Sequence, residues 1–169
     1  MEINRVIISR RSVRDFNDKA INNEIITKLL SSAIMAPSGK NGQPWKFYVI
    51  NKNSELIKNI AELSIHKKWL SKATCFIILF LDKNISYHYI KDIQAIGASI
   101  HNILLAAYEL GIGSCWIGEI LKDEAKVKEL IGINNESLEL MAIVALGYTN
   151  ELNKNYHRKD LNEVLIDWK

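Results

Sequence analysis

Two rhythms of apolar residues run along the chain. Ile3, Val6, Ile7 and Ile8 share a helical stripe, which predicts a short helix over residues 3–10. Ile25, Ile26, Leu29, Leu30, Ala33 and Ile34 repeat that spacing and predict a helix over 23–36. Asparagines stand where its cap is wanted and Pro37 marks its end. "WKFYVI" (45–50) alternates and is rich in aromatic and β-branched residues, so it reads as a strand. Residues 54–66 return to the helical period. "TCFIILFLD" (74–82) is an almost unbroken apolar run, as expected of a strand covered on both faces. Residues 89–110 predict the longest helix, apolar nearly all round and stopped by Gly111, so it needs cover from the core or from another subunit. "IGSCWIG" (112–118) reads as a short strand or turn, 123–132 as a short helix and 138–148 as another buried strand. The last twenty residues are polar until "LNEVLIDWK". Strands and helices interleave, which predicts a mixed α and β class.

Composition adds little to this outline. The 169 residues are 48% apolar and 24% charged, enough for one domain with a core, expected to span 1–169. A net charge of +3 gives no dense basic stripe, so nucleic acid is not expected as a partner. The N-terminus has no apolar core of a signal peptide and no apolar run is long enough for a bilayer. Cys75 and Cys115 lie in apolar stretches without metal spacing and read as buried thiols. The expectation is a cytoplasmic protein with no membrane partner and no metal.

Arginine usage is more informative. Of 22 basic residues only five are arginine: Arg5, Arg10, Arg11, Arg14 and Arg158. A guanidinium pairs in a fork with phosphate or carboxylate, which lysine does not do. "RRSVR" and "HRKD" (157–160) therefore suggest an anion site, or else solvated helix-end charge. Both prolines, Pro37 and Pro44, enclose "APSGKNGQPW", where Ser38, Asn41 and Gln43 offer mixed donors and acceptors. That suits the edge of a heteroaromatic ring, or an ordinary helix-to-strand link. Glycines in "GIGSCWIG" would let backbone approach a flat ligand, or simply pack. His101 reads as an interior or interface histidine. Neither a dinucleotide fingerprint nor a P-loop is present.

"ISRRSVRDF", "AIMAPSGKNGQPWKFYVI", "AIGASIHNILLAAYELGIGSCWIG" and "LGYTNE…YHRKDLNEVL", in that order, resemble the nitroreductase family of FMN-dependent oxidoreductases over almost the whole chain. The resemblance implies an α+β fold with a mostly antiparallel central sheet flanked by helices, in an intertwined homodimer with FMN at the subunit interface. It implies that Arg10, Arg11, Ser12 and Arg14 meet flavin phosphate and ribityl. Pro37, Ser38, Gly39 and Asn41 would come from the other subunit, with Gln43 supporting their loop. Ile117 and Gly118 would lie against the ring, and Arg158 and Lys159 would return to the phosphate. The implied activity is ping-pong hydride transfer from NADH or NADPH, through flavin N5, to an electron-poor acceptor such as a nitroaromatic or quinone. No acid–base residue is implied, since the cofactor carries the chemistry. The alternatives are a flavin-handling protein or a specialised flavoenzyme acting on one metabolite, and, without flavin, an anion-binding domain.

Two departures stand out. The segments 51–73 and 82–89 are short, so polar contacts to the flavin pyrimidine edge have no obvious source beyond Lys67, Lys68 or Lys72. The family's glycine pair reads Gly118–Glu119 here, with Glu119 expected to face away from the ring.

Overall fold

The computed structural model describes residues 2–52, 54–150 and 157–169. Helix α1 (Ile3–Ser9) leads into an extended segment. Helix α2 (Asn23–Ile34) starts at Asn22, whose side chain accepts from the Ile25 N–H at 2.8 Å. Strand β1 (Trp45–Asn51) and helix α3 (Ser54–Glu62) follow. A one-turn helix α4 (Lys67–Leu70) precedes strand β2 (Cys75–Asp82). The long helix α5 (Tyr89–Glu109) ends before Gly111, whose φ of 72° closes it. Strand β3 (Gly113–Ile117), helix α6 (Glu124–Leu130), strand β4 (Leu138–Gly147) and a short α7 (Leu161–Val164) complete the order. Of the polar stretch before α7, residues 151–156 lie outside the described residues.

The four strands form one antiparallel sheet in the order β1-β2-β4-β3. Every residue of β2 from Cys75 to Leu81 is buried, as its unbroken apolar run requires. Alternation splits that run between two cores. Cys75, Ile77, Leu79 and Leu81 meet α2 and α5 on one face, and Phe76, Ile78 and Phe80 meet α3, α4 and α6 on the other. The result is a sheet with helices on both faces.

The helix expected over 54–66 ends four residues early, and α4 begins just beyond that range. Helix α3 stops at Glu62, and Ser64, 4% exposed, turns its hydroxyl to donate to Glu119 Oε2 at 2.7 Å. That tertiary bond offers the chain an alternative to continuing the helix. Nor is α5 covered on all sides within one chain. Ala95, Ile96, Ile100, Ile103, Leu104 and Ala107 are buried, but Ile90 is 59% exposed, and Leu105 and Ala106 remain half-buried.

Residues 12–17 run along the sheet's open edge. Ser12 bridges Ser114 in parallel, the Val13 N–H donates to Ser114 O at 2.9 Å, and the Asn17 N–H donates to Tyr148 O at 2.9 Å. Two glycines make room. A Cβ on Gly113 would sit 2.9 Å from Val13 Cγ1, and one on Gly147 would sit 2.8 Å from Phe16 Cδ1. Gly147→Ala is therefore expected to cost about 1–3 kcal/mol by overpacking. Urea denaturation would show a lower midpoint at unchanged slope, and an unchanged midpoint would contradict the packing argument.

Candidate functional site

Arg10 occupies the C-cap of α1, with its N–H donating to Val6 O at 2.9 Å. Its guanidinium is half-buried, and its Nε is enclosed without a hydrogen-bond partner among the described residues. Burial first, then the charges of Arg158 and Arg11, push its pKa below the usual arginine value. Arg158, distant in sequence, thus lies close enough to be felt. An enclosed cation beside like charges, with an unused donor, is a site short of an anion.

The neighbours differ in their commitments. Arg11 Nη1 donates to Ile8 O at 2.5 Å and to Arg10 O at 2.7 Å, so it caps the carbonyl end of α1 as well as adding charge. Ser12, held at the sheet edge, brings its hydroxyl to the Cys115 thiol. Burial outweighs that contact and the nearby arginines and pushes the thiol up. Arg14 is exposed and lies over the Trp69 ring at 5.9 Å. Lys159 is exposed, and no contact joins it to the arginine cluster among the described residues. His101 of α5, read as an interior or interface histidine, lies outside the interior of one chain and beside the cluster. It is exposed in one chain, and partial burial of the ring, then the charge of Arg10, lower its pKa. Apart from the weak hint of a histidine on an apolar helix, nothing in the local sequence placed it there.

At the end of β3, Ile117 is buried, while a Cβ on Gly118 would meet nothing within 4 Å. The glycine that packs is Gly113, and the glycine beside open space is Gly118. A cleft of about 70 Å³ opens there, lined by Arg14, His66, Trp69, Trp116, Gly118 and Glu119. The lysines expected to supply polar contacts are elsewhere: Lys67 pairs with Glu62 at 3.1 Å and Lys72 with Asp15 at 3.5 Å. The residue facing the cleft is His66, brought in by the break between α3 and α4. Glu119 is tied up. Lys122 Nζ lies 2.5 Å from its Oε1, and Lys122, the Ser64 hydroxyl and the Ile65 N–H hold its carboxyl below the usual range.

The loop between α2 and β1 is held in an unusual backbone. Lys40, Asn41 and Gln43 all have positive φ, at 53°, 55° and 47°. Left-handed conformations cost non-glycine residues energy and persist where surroundings enforce them. Here the Asn41 N–H donates to Ser38 O at 3.1 Å, the Gly42 N–H to Gly39 O at 3.0 Å and the Gln43 N–H to Ser38 Oγ at 3.0 Å. Gln43 Nε2 reaches Asn41 O at 3.4 Å, a contact within the loop as expected of a supporting residue. The Asn41 amide makes no hydrogen bond among the described residues. Pro37, Ser38 and Gly39 line a separate cavity with α5, away from the cleft of Arg14 and Gly118. One chain therefore presents the two groups of residues at separate places.

The chain thus carries an arginine cluster short of an anion and a rigid polar loop on a helix-flanked antiparallel sheet. The profile of the nitroreductase family matches residues 7–69 and 64–148, and the chain belongs to that family. It is 36% identical to an Archaeoglobus fulgidus protein provisionally named NADH dehydrogenase/NAD(P)H nitroreductase, covering 92% of this chain and 90% of that one. A provisionally named nitroreductase from Desulfovibrio desulfuricans, solved in complex with FMN, is 31% identical with a TM-score of 0.93, covering 100% of this chain and 98% of the other. A provisionally named NADH oxidase from Clostridium acetobutylicum is 30% identical with a TM-score of 0.85, covering 97% and 99%. Among the described residues no helix is long and apolar enough to cross a membrane.

Proposed function

We propose that the chain is an FMN-dependent NAD(P)H oxidoreductase acting as a homodimer, each copy a single domain. The observation that carries this reading is Arg10, enclosed among like charges with a free Nε, in a chain that belongs to the nitroreductase family. Arg10, Arg11 and Arg158 would hold the phosphate. Ser12 would meet the ribityl chain, and Arg14 with Ile117 and Gly118 would meet the ring. Pro37, Ser38, Gly39 and Asn41 of a second copy would close the ring edge. Bound FMN supplies hydride acceptance at N5 and its return to an electron-poor acceptor, in ping-pong order. The chain's residues bind, orient and cover.

Two observations support the dimer. The cleft at Gly118 is far below the ~300–1,000 Å³ usual for cofactor pockets, so one chain does not enclose a flavin. Large apolar side chains are also left bare: Ile3, Ile8 and Met35 beside α5, and Val164, Ile166 and Trp168 at the C-terminal end. Bare apolar surface of that extent marks an interface. A groove of about 410 Å³ between α1, α2 and α5, lined by Ile3, Met35 and Leu105, suits the C-terminal segment of the second copy.

Anaerobic titration of the FMN-loaded protein with NADH and NADPH tests the activity. The visible flavin band is expected to bleach with at least one of them. A flavin that stays oxidised with both would overturn the reductase reading in favour of a flavin-handling protein, the role that the short 51–73 and 82–89 segments favour.

A further inference from the structure

Beside the 37–43 loop lies a cavity of about 290 Å³ that the arginine cluster does not line. Pro37, Ser38 and Gly39 form one wall, and Tyr87, Lys91 and Gln94 form the other. Tyr87 is fixed from both ends. Its N–H donates to Asp92 Oδ2 at 3.0 Å, and that same oxygen accepts from the His88 N–H at 3.0 Å and from Ser86 Oγ at 2.7 Å. Asp92 is 1% exposed, and the three donors hold its carboxyl below the usual range against the effect of burial. At the other end the phenol rests on Gly39, where any Cβ would lie only 2.0 Å from the hydroxyl oxygen. A buried carboxylate and a bare backbone thus hold a flat aromatic face at the cavity's edge.

Two amines attend that face. Lys40 Nζ lies 4.9 Å from the ring centroid and Lys91 Nζ lies 5.7 Å from it. Lys40 arrives there from a left-handed backbone position, φ 53°. Neither amine is ion-paired among the described residues, as several other surface lysines are not, but these two share one aromatic ring. Asp92, whose Oδ2 accepts from Ser86, Tyr87 and His88, forms no ion pair with either amine among the described residues. The cavity therefore joins an aromatic wall, two unpaired cations and the Gln94 amide, next to the loop assigned above to a flavin edge.

We infer that this cavity selects the electron acceptor: a planar aromatic molecule bearing a carboxylate-type anion, its ring against Tyr87 and its charge at Lys40 and Lys91. The inference rests on the flavin reading and adds the substrate class to it. With a nitroarene carboxylate as acceptor, NADH gives a hydride and solvent a proton. The nitro group becomes nitroso and one oxygen leaves as water, a two-electron reduction in which NADH is oxidised to NAD+.

The test compares 4-nitrobenzoate with 4-nitrobenzamide in the FMN-loaded protein, its Lys40→Met/Lys91→Met form and its Gly39→Ala form. Expected is a kcat/KM ratio of about tenfold in favour of the carboxylate, the size of two solvent-screened charge pairings. In the lysine variant the ratio falls to near one. Scored per bound FMN, since Gly39 also belongs to the loop assigned to the flavin, Gly39→Ala displaces Tyr87 and weakens both acceptors together. Calorimetry with benzoate and benzamide reads the same preference without turnover. Equal binding of the two, or a ratio that survives loss of both lysines, overturns the inference. So does a lysine variant whose KM rises for NADPH and not for NADH, since the amines would then serve the reductant's phosphate. A lysine variant that loses FMN overturns it as well, by assigning the amines to the flavin. If NADH bleaches the flavin but no carboxylate preference exists, only this inference fails. If neither nicotinamide bleaches it, the reductase reading fails and takes the acceptor with it.

Discussion

Arg10→Ala is expected to weaken FMN binding by about 10- to 100-fold, the loss of one or two charge-assisted hydrogen bonds. Quenching of FMN fluorescence on titration measures it. Riboflavin supplies the control, because it lacks the phosphate that Arg10 is assigned, so its affinity should hardly change. Arg10→Lys should fall between, since it restores a charge without the fork. The FMN-free variant is expected to melt no lower than the parent. Burial and the charges of Arg158 and Arg11 already disfavour the Arg10 cation in the empty fold, so removing it relieves the chain. Unchanged FMN affinity, or equal losses for FMN and riboflavin, would refute the phosphate assignment. A melting temperature that collapses would instead make Arg10 a structural residue.

Leu105→Glu carries the second large effect. Leu105 is half-buried on the open side of α5 and lines the groove with Ile3 and Met35. A carboxylate there meets water in a single chain but would be sealed in apolar surroundings in a dimer, where an unpaired buried charge costs about 3–5 kcal/mol. The expected result is a folded monomer by sedimentation and circular dichroism, and one that no longer retains FMN. Both losses should occur together, because the 37–43 loop and the Arg10 cluster line separate places in one chain. A monomer that keeps its flavin would sink the composite site. An intact dimer would move the interface off this face of α5.

How legible these features were in the sequence depended on how local their causes are. Strand β2 could be read because burial on both faces writes itself as an unbroken apolar run. Helix α2 could be read because Asn22 caps it and Pro37 follows it. The arginine cluster stood out because lysine fills nearly every other basic position. Helix α3 was overextended, since its stop depends on Ser64 meeting Glu119, a partner 55 residues away. The same break brings His66 into the cleft, a residue the sequence offered no reason to place there. The glycines of "GIGSCWIG" could be read either way, and Gly113 packs against Val13, a contact that only the threading of residues 12–17 along β3 creates. His101 could be read from its apolar helix only as interior or interface, and its place beside Arg10 comes from the fold. Each miss came from a contact between distant segments, which no window of neighbouring residues encodes.

The seating of residues 12–17 has a consequence for how the chain survives in a crowded solution. β3 lies at the end of the sheet, with one row of backbone donors and acceptors turned outward. Such a row is where unrelated chains add themselves and aggregates begin. Here part of it is covered by Ser12 and Val13, from the stretch that carries Arg10, Arg11 and Arg14. The ligand recognition proposed for these arginines and protection against sheet growth would therefore be one piece of sequence. Drift in that stretch would endanger solubility together with activity, so it is constrained twice.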